Sequence, residues 1–375
     1  MYFRTWQRLS SVVLGLVFAP AAMADWGLNM PQGITEVSQS IFELHMLIFW
    51  ICVWIGVVVF GVMFYSIFKH RKSKGAVASK FHESLGLEIL WTAVPTVILI
   101  AMAVPATSVL IEMYDTKNSD VDIKITGHQW KWQYDYLGED VGFFSNLTTT
   151  EDEIYNRTDK GENYLEEVDY NVVVPTGQKV RFLITSNDVI HSWWVPEIAV
   201  KKDAIPGYIN ESWTIIPEGQ EGIYRGKCTE LCGVNHGFMP IVLEAVTSDE
   251  YQVWLEEQRA GKIAEAQAAL GEFSYDELMV KGADVYARSC AACHGNEGQG
   301  LGSVFPALAG SSMALNDMAG HIDIVLNGKP GSAMQSFSAQ LSDVDIAAVI
   351  TFERNAWGND TGETVTPKMI IDAKK

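Results

Sequence analysis

Two uncharged stretches, Met46–Phe68 and Ile89–Ile111, constrain this chain more than any other feature. Each runs 23 residues, the second broken only by Pro95 and Pro105. About 20 apolar residues in a helix cross the hydrocarbon layer of a bilayer, so both read as membrane spans. Lys69, Arg71, Lys72, Lys74 and Lys80 lie between them, whereas only Asp25, Glu36 and Glu43 are charged between residue 25 and the first span. Cytoplasmic loops collect Lys and Arg, so the loop is expected inside and both flanking segments outside. Further upstream, Arg4 and Arg8 precede the apolar run Val12–Phe18 and then Ala22-Met23-Ala24. That run is too short to span, and the pattern predicts a secretory signal over 1–24, cleaved before Asp25. Residues 25–112 are then a transmembrane hairpin.

The chain carries a net charge of −19, and residues 113–375 alone carry −20. Nucleic acid is excluded as a partner, because phosphate backbones are bound by clustered Lys and Arg. The acidity sits on the exported part, where it attracts cationic proteins or simply keeps the domain soluble. From Val121 to about Val246 the pattern is of short β-like runs (121–125, 170–174, 179–184, 212–216, 241–245) separated by Pro175-Thr-Gly177 and Pro217-Glu-Gly219. This predicts a β-sandwich or barrel over 113–247, with the polar stretch from Phe143 to Glu167 as a surface insertion. Residues 248–273, rich in Glu, Gln and Ala, predict a helical, semi-rigid linker. Residues 274–375 predict a small helical domain: Tyr275–Ser289 is amphipathic, and Ser342-Asp-Val-Asp345 caps a final helix through about Asn355.

The sharpest chemical signal is Cys228-Thr-Glu230-Leu-Cys232-Gly-Val-Asn-His236-Gly-Phe-Met239, with His191 at the end of an earlier β-run. Two thiolates, two imidazoles and a thioether are a soft donor set that suits copper. A mononuclear blue-copper site needs one Cys, so the second points to two bridged metal ions. A Cys228–Cys232 disulfide in an oxidising compartment and a Cys/His zinc site are the competing readings, and neither needs Met239. In the last domain, Cys290-Ala-Ala-Cys293-His294 is the C-x-x-C-H attachment signature of c-type haem, with two thioethers and an axial His. Cys52, in the first span, reads as a small apolar packing residue.

With these motifs the sequence resembles subunit II of the haem–copper cytochrome c oxidases over about residues 35–247. The resemblance rests on Gly127-His-Gln-Trp-Lys-Trp132, Asp203-Ala-Ile-Pro-Gly207, the His191 segment and the Cys228–Met239 loop. It implies a cupredoxin-like β-domain and a binuclear copper A centre held by His191, Cys228, Cys232, His236, Met239 and the Glu230 carbonyl. It also implies that the Glu230 carboxylate binds a magnesium or manganese ion shared with subunit I, that an electron enters through Trp130, and that Glu88 sits at the mouth of a proton-uptake path. Tyr208 departs from the family, where a basic residue is frequent.

Residues 274–357 resemble a class I cytochrome c, with Met334 in the position of the distal ligand and Met313 and Met318 as further candidates. The fused arrangement resembles the caa-type oxidases. The expected partners are subunits I and III, a periplasmic donor such as a soluble cytochrome c or the cytochrome bc complex, and the lipid bilayer. The expected place is a bacterial inner membrane, with both soluble domains on the periplasmic face. A copper-A-containing nitric oxide reductase subunit is the nearest alternative and a copper carrier for oxidase assembly a remote one; a quinol-oxidase subunit lacks the copper ligands. His45, His70, His82, His128 and His321 read as structural, with His128 organising the Trp130 region.

Overall fold

The computed structural model describes residues 29–77, 82–302, 305–338 and 340–375. The expected signal segment 1–24 and Lys80 of the basic loop lie outside the described residues. The chain divides into two compact units, one holding residues 38–109 and the other residues 34–37 with 110–375.

In the first unit, α1 (Glu36–Lys69) and α2 (Leu85–Met113) contain the two apolar stretches and extend beyond them. Both are long and apolar enough to cross a membrane, and their apolar side chains are largely exposed. Thr96 and Thr107 donate their hydroxyls back to the carbonyls four residues earlier, at Thr92 and Ala103. Those bonds satisfy polar groups that a lipid environment cannot solvate. Cys52 is exposed on α1, so the packing expected of it is not made among the described residues.

In the second unit, ten strands build two five-stranded sheets. The first is ordered β3 (Val141–Ser145), β2 (Lys131–Tyr136), β1 (Val121–His128), β5 (Lys179–Ser186), β8 (Asn210–Ile215). The second is ordered β4 (Val172–Pro175), β10 (Pro240–Val246), β9 (Gly222–Cys228), β6 (His191–Val195), β7 (Val200–Ala204). Pairing is antiparallel except for β1 with β5 and β4 with β10. The inward residues of the two sheets, among them Ile123, Ile125, Trp132, Phe182, Trp193, Ile241 and Leu243, form one core. Burial alternates strictly along β2 and β5, as the period of two requires. Five of these strands were not visible as β-like runs. β2 (Lys-Trp-Gln-Tyr-Asp-Tyr) and β7 (Val-Lys-Lys-Asp-Ala) are rich in charge, and β9 contains two glycines.

Phe143 and Phe144 do not belong to the expected insertion. Both sit in β3, paired with Tyr134 and Gln133, and Phe144 is buried. The insertion begins at Asn146, whose backbone N–H and side-chain amide both donate to Asp169 and so close the base of the loop. Inside it lies the single turn α3 (Glu151–Ile154), held by a reciprocal capping box between Thr150 and Glu153.

The linker helix α4 (Ser248–Ala268) is held to the β-domain as far as Lys262 and is a spacer only beyond it. Tyr251 and Leu255 are buried in the β-domain core, and Trp254 packs on Tyr136. Arg259 pairs with Glu139 and Lys262 with Asp140, the latter at 2.6 Å, pinning α4 to the β2–β3 turn.

The last domain packs α5 (Tyr275–Ser289), α6 (Ala291–His294), α7 (Ser312–Asn316), α8 (Met318–Asn327) and α9 (Asp343–Asn355) around Val285, Tyr286, Leu326, Phe337, Ile346 and Ile350. Gly282 lets α5 and α9 meet, since a Cβ there would lie 2.2 Å from the Ala348 carbonyl. Ser342 caps α9 as expected, its hydroxyl accepting from the Asp345 N–H at 3.0 Å. α9 is not the last helix. α10 (Pro367–Ala373) follows, capped by Thr366, and buries Ile370 completely. Seven residues with a proline at the start are too short a pattern to read as a helix without the groove that receives it.

Candidate metal and haem centres

The metal-ligating side chains come from the ends of neighbouring strands. β6 pairs with β9 so that Trp193 faces Cys228, which brings His191 at the start of β6 to the end of β9. The loop from Cys228 then folds back through a short turn at 236–238 into β10. The Cys228 and Cys232 sulfurs are 3.9 Å apart, too far for the ~2.05 Å bond of a disulfide and close enough to share one ion. His191 Nδ1 lies 4.0 Å from Cys228 Sγ, and His236 Nδ1 lies 3.4 Å from Cys232 Sγ. Met239 Sδ is 3.5 Å from Cys232 Sγ, and the Glu230 carbonyl is 3.3 Å from Cys228 Sγ. His191, Cys228, Cys232 and Met239 are all buried.

All six expected donors therefore converge. A thioether and a carbonyl have no place in the usual Cys/His zinc tetrahedron, whereas the thiolate-rich soft set fits copper. The Cys228 thiol is held far below the usual thiol range, first by a hydrogen bond from Cys232 and further by His191. Its thiolate in turn pushes Cys232 up.

Supporting contacts fix this arrangement, and sequence reasoning missed most of them. Asp188 accepts from His191 Nε2 at 2.8 Å, leaving Nδ1 for a metal. Burial pulls the His191 pKa down, but the bonds to Asp188 and Cys228 outweigh it and hold the ring above its ordinary value. The available signal was an acid three residues before a candidate ligand. Gly127 makes room for the ring, since a Cβ there would stand 2.8 Å from His191 Cδ2. The Trp132 indole N–H donates to the Met239 carbonyl at 3.3 Å. Trp130 is half-buried, and its indole N–H donates to the Cys232 carbonyl at 3.2 Å. Gln129 donates to the same carbonyl at 2.8 Å. His128 lies apart from this group, bonded to Gln133 and Gln335.

The Glu230 carboxylate is exposed beside Leu231 and Val234, which are 80% and 85% exposed. Glu88 lies in the first turn of α2, where the helix dipole favours a carboxylate. It belongs to the other unit.

In the helical domain, Cys290 closes α5 and the single turn α6 carries Cys293 and His294. His294 Nδ1 is 2.8 Å from the Pro306 carbonyl, which sets the tautomer and leaves Nε2 as the free axial donor. Burial pushes both Cys290 and Cys293 up. Thiols kept neutral, with a half-buried imidazole beside them, fit covalent haem better than a thiolate-bound metal. Met334 and Met318 both pack against the core, whereas Met313 is 39% exposed. His321 is buried and bonded to Glu353 at 2.8 Å, the structural role expected of it.

Comparisons with known proteins agree with this division. The family described as "Cytochrome C oxidase subunit II, periplasmic domain" matches residues 121–246, and "Cytochrome C oxidase subunit II, transmembrane domain" matches 23–109. The family "Cytochrome C oxidase, cbb3-type, subunit III" matches 277–352. Cytochrome c oxidase subunit 2 of Cyanidium caldarium is 36% identical over 241 residues, which cover 63% of this chain and 92% of that one. The mitochondrial subunit 2 of Glycine max is 38% identical over 247 residues, 64% of this chain, and the match spans 61% of that relative's length. Among solved structures, the periplasmic domain of subunit II of cytochrome oxidase of Bradyrhizobium japonicum matches with 35% identity and a TM-score of 0.34, covering 39% of this chain and 98% of that one.

Proposed function

Since this chain belongs to the family of cytochrome c oxidase subunit II and carries a cytochrome c domain at its C-terminal end, we propose that it is the electron-input subunit of a proton-pumping, caa-type terminal oxidase in a bacterial inner membrane. In this role it accepts electrons on its own c-type domain and delivers them, by way of its β-domain, to haem a of subunit I, where oxygen is reduced to water. The observation that carries the reading is the convergence of two buried thiols, two imidazoles, a thioether and a carbonyl in one chain with C-x-x-C-H.

When bound, the copper pair and the haem supply the one-electron redox chemistry. Cys228 and Cys232 would hold both copper ions between them, with His191, His236, Met239 and the Glu230 carbonyl completing the donor set. Asp188 orients His191, and the Trp132 and Trp130 indoles brace the ligand loop through the carbonyls of Met239 and Cys232. Trp130 touches the Cys232 backbone directly, which supports it as the residue through which an electron reaches the centre. Cys290 and Cys293 would form the thioethers, with His294 and Met334 as axial ligands. Met334 lies against the core in a tight loop, its carbonyl accepting from the Lys329 N–H at 2.8 Å. The exposed Glu230 carboxylate is free to take a magnesium or manganese ion shared with subunit I, and Glu88 to serve proton uptake. Subunit III and a periplasmic cytochrome complete the assembly. Tethering the donor domain replaces a bimolecular encounter with an intramolecular one at high effective concentration.

Electron paramagnetic resonance with metal and haem analysis on the full matured chain tests this reading. Two coppers per haem, with the hyperfine pattern of an electron shared by two copper nuclei, is the expected result. Zinc, or the pattern of a single copper nucleus, would overturn it.

A further inference from the structure

The insertion at 146–169 and the turn between β1 and β2 contribute none of the six donors, yet both reach the helical domain. His128 Nδ1 lies 3.2 Å from Gln335 Oε1. Lys131 Nζ stands over two rings at once, 5.0 Å from the centre of Phe144 in its own domain and 5.5 Å from that of Phe337 in the other. Its charge is felt at both Cys290 and Cys293. At a second point, the Asn296 side-chain amide donates to Glu151 Oε2 of the insertion helix α3 at 3.3 Å. Asn296 comes two residues after His294, and Gln335 one residue after Met334. The loops that carry His294 and Met334 thus both touch the β-domain.

The anchor of the linker limits the alternatives. With Arg259 and Lys262 fixed to the β2–β3 turn, only residues 263–273 separate the pinned part of α4 from Ser274, the cap of α5. A half-buried cation held between two aromatic rings is a stronger contact than a surface ion pair; burial pulls the Lys131 pKa down to about 8, so the ammonium form still prevails at neutral pH.

We propose that His128 and Lys131 of the β1–β2 turn and Glu151 of the insertion form a seat for this chain's own haem domain, received by its haem-bearing edge through Gln335, Phe337 and Asn296. Resting on the functional reading above, it assigns the insertion a role as a docking element. It also makes Lys131 a positioning residue that sets the approach of the haem to Trp130, its immediate neighbour in sequence.

The test is time-resolved haem-to-copper electron transfer in the assembled oxidase. Lys131→Glu is expected to slow transfer about tenfold or more, because a small misplacement of donor against acceptor is costly. The haem absorbance and copper resonance should stay unchanged, which a merely structural defect would not leave intact; Lys131→Met, which removes the charge without reversing it, should slow transfer less than Lys131→Glu. On the other domain, Asn296→Asp places a carboxylate against Glu151 and is expected to slow transfer several-fold, with Glu151→Gln in the same chain restoring it. Wild-type rates in both Lys131→Glu and Asn296→Asp would overturn the seat while leaving the function standing. An unsubstituted oxidase whose reduced haem passes nothing to copper would instead overturn the functional reading.

Discussion

The molecule contains two cysteine pairs in different surroundings: in the first, one thiol is pulled down and its partner pushed up, whereas in the second both are pushed up. Cys228 and Cys232 lie in a loop between two strands, facing each other with imidazoles on either side, and Cys228 is driven towards thiolate. Cys290 and Cys293 flank a single helical turn, and burial drives both towards the neutral thiol. The difference is one of surroundings: the first pair has hydrogen bonds that stabilise a thiolate on Cys228, while at the second pair burial outweighs the opposing charge of Lys131. The first arrangement prepares sulfur to bind metal ions reversibly. The second favours the neutral thiol at both sulfurs.

The most drastic way to break this contrast is Cys232→Ser. With one of the two soft sulfur donors replaced by a hard hydroxyl, the pair of ions loses half of its thiolate framework, so the binuclear copper resonance should vanish while the haem absorbance of the same chain persists. A retained binuclear signal would mean that the second sulfur is dispensable. Next in size, Met334→Ala should leave haem attached through Cys290 and Cys293 but lower its potential, since a Met ligand raises it. An unchanged potential in a redox titration would move the axial role to Met318, the other methionine against the core.

Asp188→Asn sharpens the comparison by removing one aid that only the copper pair enjoys. Loss of such an orienting partner weakens metal binding about 10–100-fold. Chelator competition would measure it, and an unaltered affinity would mean that Trp132 and the space at Gly127 hold His191 unaided. The smallest effect concerns the β-framework behind the copper pair. Hydrogen bonds from Arg181, one of them 2.6 Å, hold Asp122 below its ordinary 3.8. As pH falls the unfolded chain therefore takes up this proton first. The pair's contribution is complete above 3.8 and is lost as pH drops through the folded value. In thermal melts, the stability gap between wild type and Asp122→Asn should be constant near neutrality and shrink below pH 3.8. A gap that persisted unchanged into stronger acid would show that the pair contributes nothing through charge.

Much of this was legible in residue order. The spans showed because lipid demands long unbroken apolar runs, and the two Cys/His motifs showed because their ligands are close in sequence. β2, β7 and β9 were hidden because their charged and glycine-rich faces look like loop until a neighbouring strand is placed beside them. Phe143 and Phe144 looked like the start of an insertion for the same reason. Tyr251 and Leu255, spaced four apart in a polar helix, gave too faint a stripe to show that half the linker is buried.

Sequence alone determined the kinds of chemistry available: two spans, a soft donor loop and a haem attachment site. Each is set by local composition, which neighbours along the chain cannot undo. Only the tertiary structure decided how those donors are used. It brought His191 across from β6 to Cys228 and set Asp188 behind it. It placed the Trp130 indole against the Cys232 carbonyl and put Lys131 over Phe337, two residues 206 apart in sequence. Such contacts depend on strand register and domain packing, and those are settled by the burial of side chains that meet only when the whole chain has folded.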